Sequence, residues 1–227
     1  MIDKRTLEFI LTDQQDELAE RAEEILCHRK EDTLVDLTSF QAQVVIGVRR
    51  SGKSTLCYQV LKKHDVKFAY ADFDDERLIE LKAAQLNDVL ETLYKVYGDF
   101  QYLFLDEIQN IKGWHLFVNR MLRKKMHVII TGSNAKLLSG ELATHLTGRS
   151  KEISLYPFSF KEFCLMKDVD IERRSTKAEA FRRAAFDEYL KQGGFPELLT
   201  IEDKKSYVST LIDNILKRDI EQRYKIV

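Results

Sequence analysis

The chain has 227 residues, 44% apolar and 32% charged, enough to bury one substantial core under a heavily charged surface. A formal net charge of −1 supplies no global basic field that would argue for nucleic acid. Cys27, Cys57 and Cys164 stand far apart, no apolar leader opens the chain, and no apolar run reaches membrane-spanning length, so the expectation is a cytoplasmic protein with no membrane partner.

Residues 13–30 carry a helical stripe of Leu18, Ala22, Ile25 and Leu26, with Thr12 as N-cap and Gln15 completing a capping box. This helix is expected to precede the core and to pack on it or on a partner. Short runs rich in Val, Ile, Phe, Tyr or Leu predict strands at 43–48, 66–72, 101–106, 127–132 and 151–155. Helices are expected between them at about 53–64, 85–97, 114–125 and 135–143. That alternation argues for a parallel sheet with crossover connections. From Ser159 the strand pattern stops, and the remainder reads as helices near 159–167, 176–192 and 203–223. The expected organisation is an N-terminal helical extension over 1–40, an α/β core over 41–157 and a helical unit over 158–227.

The densest signal lies at residues 44–56, where a β-branched run feeds Gly47-x-x-x-x-Gly52-Lys53-Ser54. Glycines at these positions let a tight loop turn its backbone N–H groups toward phosphate oxygens. The helix that follows adds the positive end of its dipole. In this pattern Lys53 reaches the β- and γ-phosphates and Ser54 ligates Mg²⁺. Arg50, Ser51 and Thr55 complete the candidate nucleotide contacts of the loop, and ATP with Mg²⁺ is the expected ligand. Whether Arg49 and Arg50 serve phosphate, the helical unit or a neighbour stays open.

Tyr102-Leu103-Phe104-Leu105-Asp106-Glu107 is an apolar strand ending in two acids. In P-loop enzymes an acid at this strand end holds Mg²⁺, the role expected of Asp106. Glu107 is placed to polarise a water for attack on the γ-phosphate. The plain alternative is a helix N-terminus that favours acids. His127–Asn134 is another buried strand ending in small polar residues. Ser133 or Asn134 could orient the water or touch the γ-phosphate, unless Asn134 is simply a helix N-cap. Arg149, in Leu146-Thr-Gly-Arg149, is a candidate to neutralise phosphoryl charge in cis or from a neighbouring subunit; an ordinary surface arginine is the alternative. Gly193-Gly194-Phe195-Pro196-Glu197 breaks the helical pattern into a sharp turn, and whether that turn touches nucleotide stays open.

Gly47-Val-Arg-Arg-Ser-Gly-Lys-Ser-Thr, Leu105-Asp-Glu-Ile-Gln-Asn, Gly113-Trp114, Ile130-Thr-Gly-Ser, Leu146-Thr-Gly-Arg-Ser, Leu155-Tyr-Pro-Phe-Ser-Phe-Lys-Glu-Phe and Gly193-Gly-Phe-Pro-Glu resemble prokaryotic AAA-type ATPases. The subgroup is the one whose members usually carry a further C-terminal domain of unknown function. The resemblance implies an α/β P-loop NTPase fold: a parallel five-stranded sheet, order 5-1-4-3-2, flanked by helices, with a small C-terminal helical lid. It also implies Asp106 and Glu107 as the magnesium and catalytic pair and Ser133 or Asn134 at the first sensor position. Arg149 matches the family's Gly-Arg pattern. Pro196 is an implied adenine contact, because Gly194-Phe-Pro196 is similar to a Gly-x-Pro turn of related signalling and origin-type ATPases. The chain ends after a long helix without that further domain, so it is expected to be either an excised ATPase module or a truncated gene product, lacking any activity that depends on the missing part.

The favoured expectation is an ATP hydrolase whose turnover drives a conformational change between core and lid. Lys53, Glu107, Arg149 and Ser133 or Asn134 are its catalytic candidates. The alternative is a nucleotide-dependent signalling switch with little turnover. A small-molecule kinase sharing the loop is disfavoured, since a water-activating acid beside the γ-phosphate would waste ATP. Arg120, Arg123, Lys124 and Lys125 are the thin basis for a nucleic-acid partner, and like Arg182 and Arg183 they read first as solvated helix faces. A protein partner and a homo-oligomer are the other partners left open.

Overall fold

In the computed structural model, residues 2–21, 27–133, 146 and 148–217 are described. Five parallel strands form one sheet: β1 (Ala42–Gly47), β2 (Phe68–Asp72), β3 (Tyr102–Asp106), β4 (His127–Ser133) and β5 (Ser150–Ser154). Their order is β2-β3-β4-β1-β5, the expected 5-1-4-3-2 read from the other edge. The inner strands β1, β3 and β4 are buried along nearly their whole length because both faces of the sheet are covered there, whereas the edge strand β5 buries only Ile153. On β1, Val44 and Ile46 enter one core cluster and Val45 the other; on β3, Leu103 and Leu105 oppose Phe104 in the same way.

The first face is covered by α1 (Lys4–Arg21), α3 (Leu86–Tyr97) and α4 (Trp114–Arg123), which bring Leu7, Leu93 and Trp114 into its core. The second is covered by α2 (Lys53–Lys63), through Leu56, Val60 and Leu61. Beyond the sheet, α5 (Phe160–Met166), α6 (Thr176–Gln192) and α7 (Lys204–Asn214) follow. Phe163, Cys164 and Ala185 form a small separate cluster there, with Phe160 and Tyr189 packed against it. Ser159 and Glu162 cap the start of α5 reciprocally.

The first helix corrects the sequence reading. It starts at Lys4, where Asp3 Oδ1 accepts from the backbone N–H groups of Arg5 and Thr6, both at 3.0 Å. Thr12 therefore lies inside the helix and caps nothing. Leu7, Ile10 and Leu11 are buried in the first core, so the apolar stripe that continues through Leu18 begins one turn and more before Thr12. Residues 30–34 form a separate short 3₁₀ turn, and Ala22, Ile25 and Leu26 lie outside the described residues, as does the helix expected at 135–143. Of the helix expected at 203–223, residues 204–214 are α-helical, and those after 217 lie outside the description. Among the described residues no helix is long and apolar enough to cross a membrane.

Candidate nucleotide site

All five strands run the same way, so the C-terminal ends of β1, β2, β3 and β4 share one edge of the sheet. That edge, the loop after β1 and the helical unit enclose a cleft of about 680 Å³. Gly47 closes β1 because nothing larger fits: a Cβ there would sit 2.1 Å from the Leu155 carbonyl oxygen and 2.9 Å from Ser51 Oγ. The chain then turns through left-handed backbone at Arg50 (φ 63°) and Gly52 (φ 91°) before α2 begins at Lys53. The first-turn amides of α2, at Lys53, Ser54 and Thr55, have no helical acceptor and open at the cleft with the helix dipole behind them.

The side chains expected at the phosphate end do converge. Lys53 is buried, donates from Nζ to the Val48 carbonyl at 3.3 Å and stands 3.5 Å from Glu107 Oε1. The Ser54 hydroxyl hydrogen-bonds the Asp106 carboxylate. Tyr70 donates its hydroxyl to Asp106 Oδ2 at 3.1 Å, and Thr131 donates its own to Oδ1. Thr131 Oγ1 also accepts from the Glu107 backbone N–H at 3.2 Å, so one β4 hydroxyl fixes both acids. Glu107 itself adopts left-handed backbone (φ 49°), and its Oε2 accepts from the Ser133 N–H at 3.3 Å and from Gln109 Nε2. Ser133 pairs with Gly47 in register. Asn134 lies outside the described residues.

The pocket strains its own charge. Burial, and then the charge of Glu107, push the Asp106 carboxyl above the usual aspartate range. Asp72, in register with Asp106 on the neighbouring strand, is raised by burial and then by Asp106. A group of carboxylates resisting ionisation suits a cation, and the oxygens of Ser54 and Asp106 are hard donors of the kind Mg²⁺ takes. Two buried hydroxyls, Ser51 Oγ and Ser133 Oγ, have no hydrogen-bond partner among the described residues and flank the loop at Gly47. The loop thus fits an anion and the strand ends fit its counter-cation.

The turn at 193–197 reaches this cleft. A Cβ on Gly194 would stand 2.2 Å from the Phe158 carbonyl oxygen, and the Gly194 carbonyl accepts the Phe158 N–H at 2.6 Å. That close backbone approach carries Pro196 to the cleft wall, with its Cγ 3.9 Å from where a Gly52 Cβ would be. Arg50 Nη1 meets Glu197 Oε1 at 2.7 Å, and Arg49 Nη1 meets Asp74 Oδ2 at 3.2 Å. The two loop arginines therefore divide: one faces the helical unit, the other the end of β2.

Arg149 is not brought to the site. Its carbonyl accepts from Ala42 N–H at 2.8 Å, and its guanidinium meets Asn119 Oδ1 at 3.3 Å. Ala42 opens β1 and Gly47 closes it, so Arg149 sits at the opposite edge of the sheet, roughly 16 Å of strand away. A cis role in this cleft is excluded by that placement. Arg120, read as one of a loose basic cluster, is bonded to Asn87 Oδ1 at 3.0 Å, and Arg182 and Arg183 both pair with Glu179.

Several lining residues escaped the sequence reading: Asp72, Asp74, Arg29, Phe158, Met166 and Cys27. Asp72 had a usable signal, because it too is an acid at the C-terminal end of an apolar strand. Arg29 had none. Burial, followed by the charge of Glu162, pushes the Cys27 thiol up to about 11, so it stays a protonated wall residue.

A sequence model of the AAA domain family matches residues 39–164, more than half of the chain. The chain belongs to the AAA domain family. An uncharacterized protein of Methanocaldococcus jannaschii is 37% identical to this AAA domain over its whole length, and one of Haemophilus influenzae is 36% identical over 86% of it. Those alignments take in 51% and 50% of the two proteins, so the chain spans about half the length of the curated relatives it matches. Among solved structures, AMPPCP-bound DnaA from Aquifex aeolicus is similar at a TM-score of 0.47 and 16% identity, over 99% of this chain and 70% of that one. Family membership and the five-stranded P-loop sheet support a nucleotide-binding ATPase domain.

Proposed function

We propose that this AAA domain binds MgATP and hydrolyses it, with turnover driving a conformational change between the sheet domain and a helical lid formed by residues 158–217. The observation that carries the reading is the convergence of Lys53, Ser54, Asp106, Glu107 and Ser133 at one strand edge. The amides of residues 51–55 and Lys53 bind the phosphates, and Pro196 packs against the base. Ser54 and Asp106 hold Mg²⁺, which when bound neutralises charge on the β- and γ-phosphate oxygens. Glu107 takes a proton from the attacking water, and Ser133, whose hydroxyl has no partner among the described residues, orients that water or the γ-phosphate. Arg149 acts, on this reading, only from a second copy of the chain.

A specific observation favours a second reading, a switch with little turnover. Both oxygens of Glu107 are engaged, Oε1 by Lys53 and Oε2 by Ser133 N–H and Gln109. Lys53→Ala should abolish nucleotide binding, and unchanged affinity would remove the phosphate-loop assignment. Phosphate release measured against retained nucleotide separates hydrolase from switch. Arg120, Arg182 and Arg183 are engaged on their own surfaces, which lends a nucleic-acid partner no support.

A further inference from the structure

Arg29 lies before the first strand, outside every motif, yet only 7% of it is exposed. Each of its three guanidinium nitrogens is used. Nε donates to Glu162 Oε1 on α5 at 2.7 Å, Nη2 to the Tyr156 carbonyl at 2.6 Å, and Nη1 to the Ser51 carbonyl at 3.2 Å. The guanidinium also stacks over the Phe158 ring, 4.9 Å from its centroid. One side chain thus touches the phosphate loop, the connection after β5 and the first helix beyond it.

The contact with Ser51 has a directional consequence. The Ser51 carbonyl and the Gly52 N–H belong to one planar trans peptide, in which the two groups point opposite ways. Holding the carbonyl toward Arg29 therefore turns the Gly52 N–H away from it. We infer that Arg29 is a positioning residue that orients the Ser51–Gly52 peptide for phosphate and makes that orientation depend on Glu162. Glu162 supplies the countercharge that lets the guanidinium stay buried; without it Arg29 is drawn toward water and releases the loop. Residues far from the phosphates would in this way set how well the loop receives them. The inference deepens the proposed nucleotide site and rests on it.

Nucleotide affinity and saturating turnover measured for the wild type, Arg29→Lys, Arg29→Ala, Glu162→Gln and the Arg29→Ala/Glu162→Gln double variant test it. Arg29→Ala and Glu162→Gln should each weaken ATP binding by about tenfold or more, the scale of one lost charged hydrogen bond, while turnover at saturation changes less. Arg29→Lys keeps the charge without the fork and should fall between wild type and Arg29→Ala. The double variant should be no weaker than Arg29→Ala alone, because Glu162 acts through Arg29. Wild-type affinity in folded Arg29→Ala, or effects that simply add in the double variant, would overturn the inference. Should Arg29→Ala fail to fold, wild-type affinity in both Glu162→Gln and Arg29→Lys does the same. Lys53→Ala run alongside separates the two failures: if it still binds ATP, the site reading itself is wrong.

Discussion

Lys53 Nζ stands 3.5 Å from Glu107 Oε1, with both side chains largely shielded from water. The cation proposed for the phosphates is thus already paired with the carboxylate proposed as base. On the proposed mechanism phosphate draws Lys53 away before Oε1 can face a water, so phosphate and Glu107 compete for one ammonium group and binding frees the base.

Glu107→Gln removes that competition along with the base. Turnover should fall by about 100-fold or more, the scale of a lost general base. ATP should bind at least as tightly as to the wild type, since a neutral amide holds Lys53 less firmly. A titration with labelled nucleotide and a phosphate-release assay read both effects. Clearly weaker binding would show that Glu107 supports Lys53 instead of competing for it.

Thr131→Val keeps shape and burial but removes the hydroxyl that donates to Asp106 and accepts from the Glu107 backbone. Both acids lose a shared anchor while the phosphate loop is untouched. Turnover should drop by about tenfold or more, and nucleotide affinity by less than about threefold. Equal losses in both would mean the anchor serves binding.

Acid should loosen the helical unit through Glu162. Burial pushes its carboxyl up, but bonds from Ser159 and then from Arg29 outweigh burial, and its value lies below the usual glutamate range. A folded value below the unfolded one adds stability above roughly pH 4.3, and that stability is lost as pH falls through the folded value. Wild-type melting temperature should therefore decline more steeply below about pH 4 than that of Glu162→Gln, which should melt lower at neutral pH. Parallel curves would remove Glu162 from the acid response.

Arg149 lies at the edge of the sheet remote from its own cleft, so any catalytic use of it requires two chains. Turnover per chain should then rise with protein concentration, and Arg149→Ala should lower it. Mixing Arg149→Ala with Glu107→Gln should restore part of the loss, because each can supply what the other lacks. Identical turnover by Arg149→Ala and wild type at every concentration would leave Arg149 an ordinary surface residue.

The sheet was legible because its inner strands are buried on both faces and read as apolar runs, and the phosphate loop because Gly47 and Gly52 sit where no other residue fits or turns. Parallel order alone could have placed Arg149. A residue just before β5 belongs to the edge where strands begin, opposite Gly47, Asp106 and Ser133, where they end. Thr12 misled because a threonine followed three residues later by glutamine looks like a capping box, while the competing cap, Asp3, precedes apolar positions that share its face of α1. Arg29 could not be found by pattern. Its partners at 51, 156 and 162 are neighbours only after the sheet has brought β1 beside β5.

The bond between Phe158 N–H and the Gly194 carbonyl, with the Tyr189 hydroxyl donating to the Phe158 carbonyl at 2.8 Å, fastens the start of the helical unit to the turn that follows α6. Those two points are therefore locked together, and rotation of the unit must be absorbed upstream of Phe158. Only Tyr156 and Pro157 stand between that lock and Leu155, whose N–H is still bonded to the Ile46 carbonyl on β1 at 2.7 Å. If the lid moves as proposed, its hinge would be limited to those two residues, one a proline with its φ fixed and the other held through its carbonyl by Arg29.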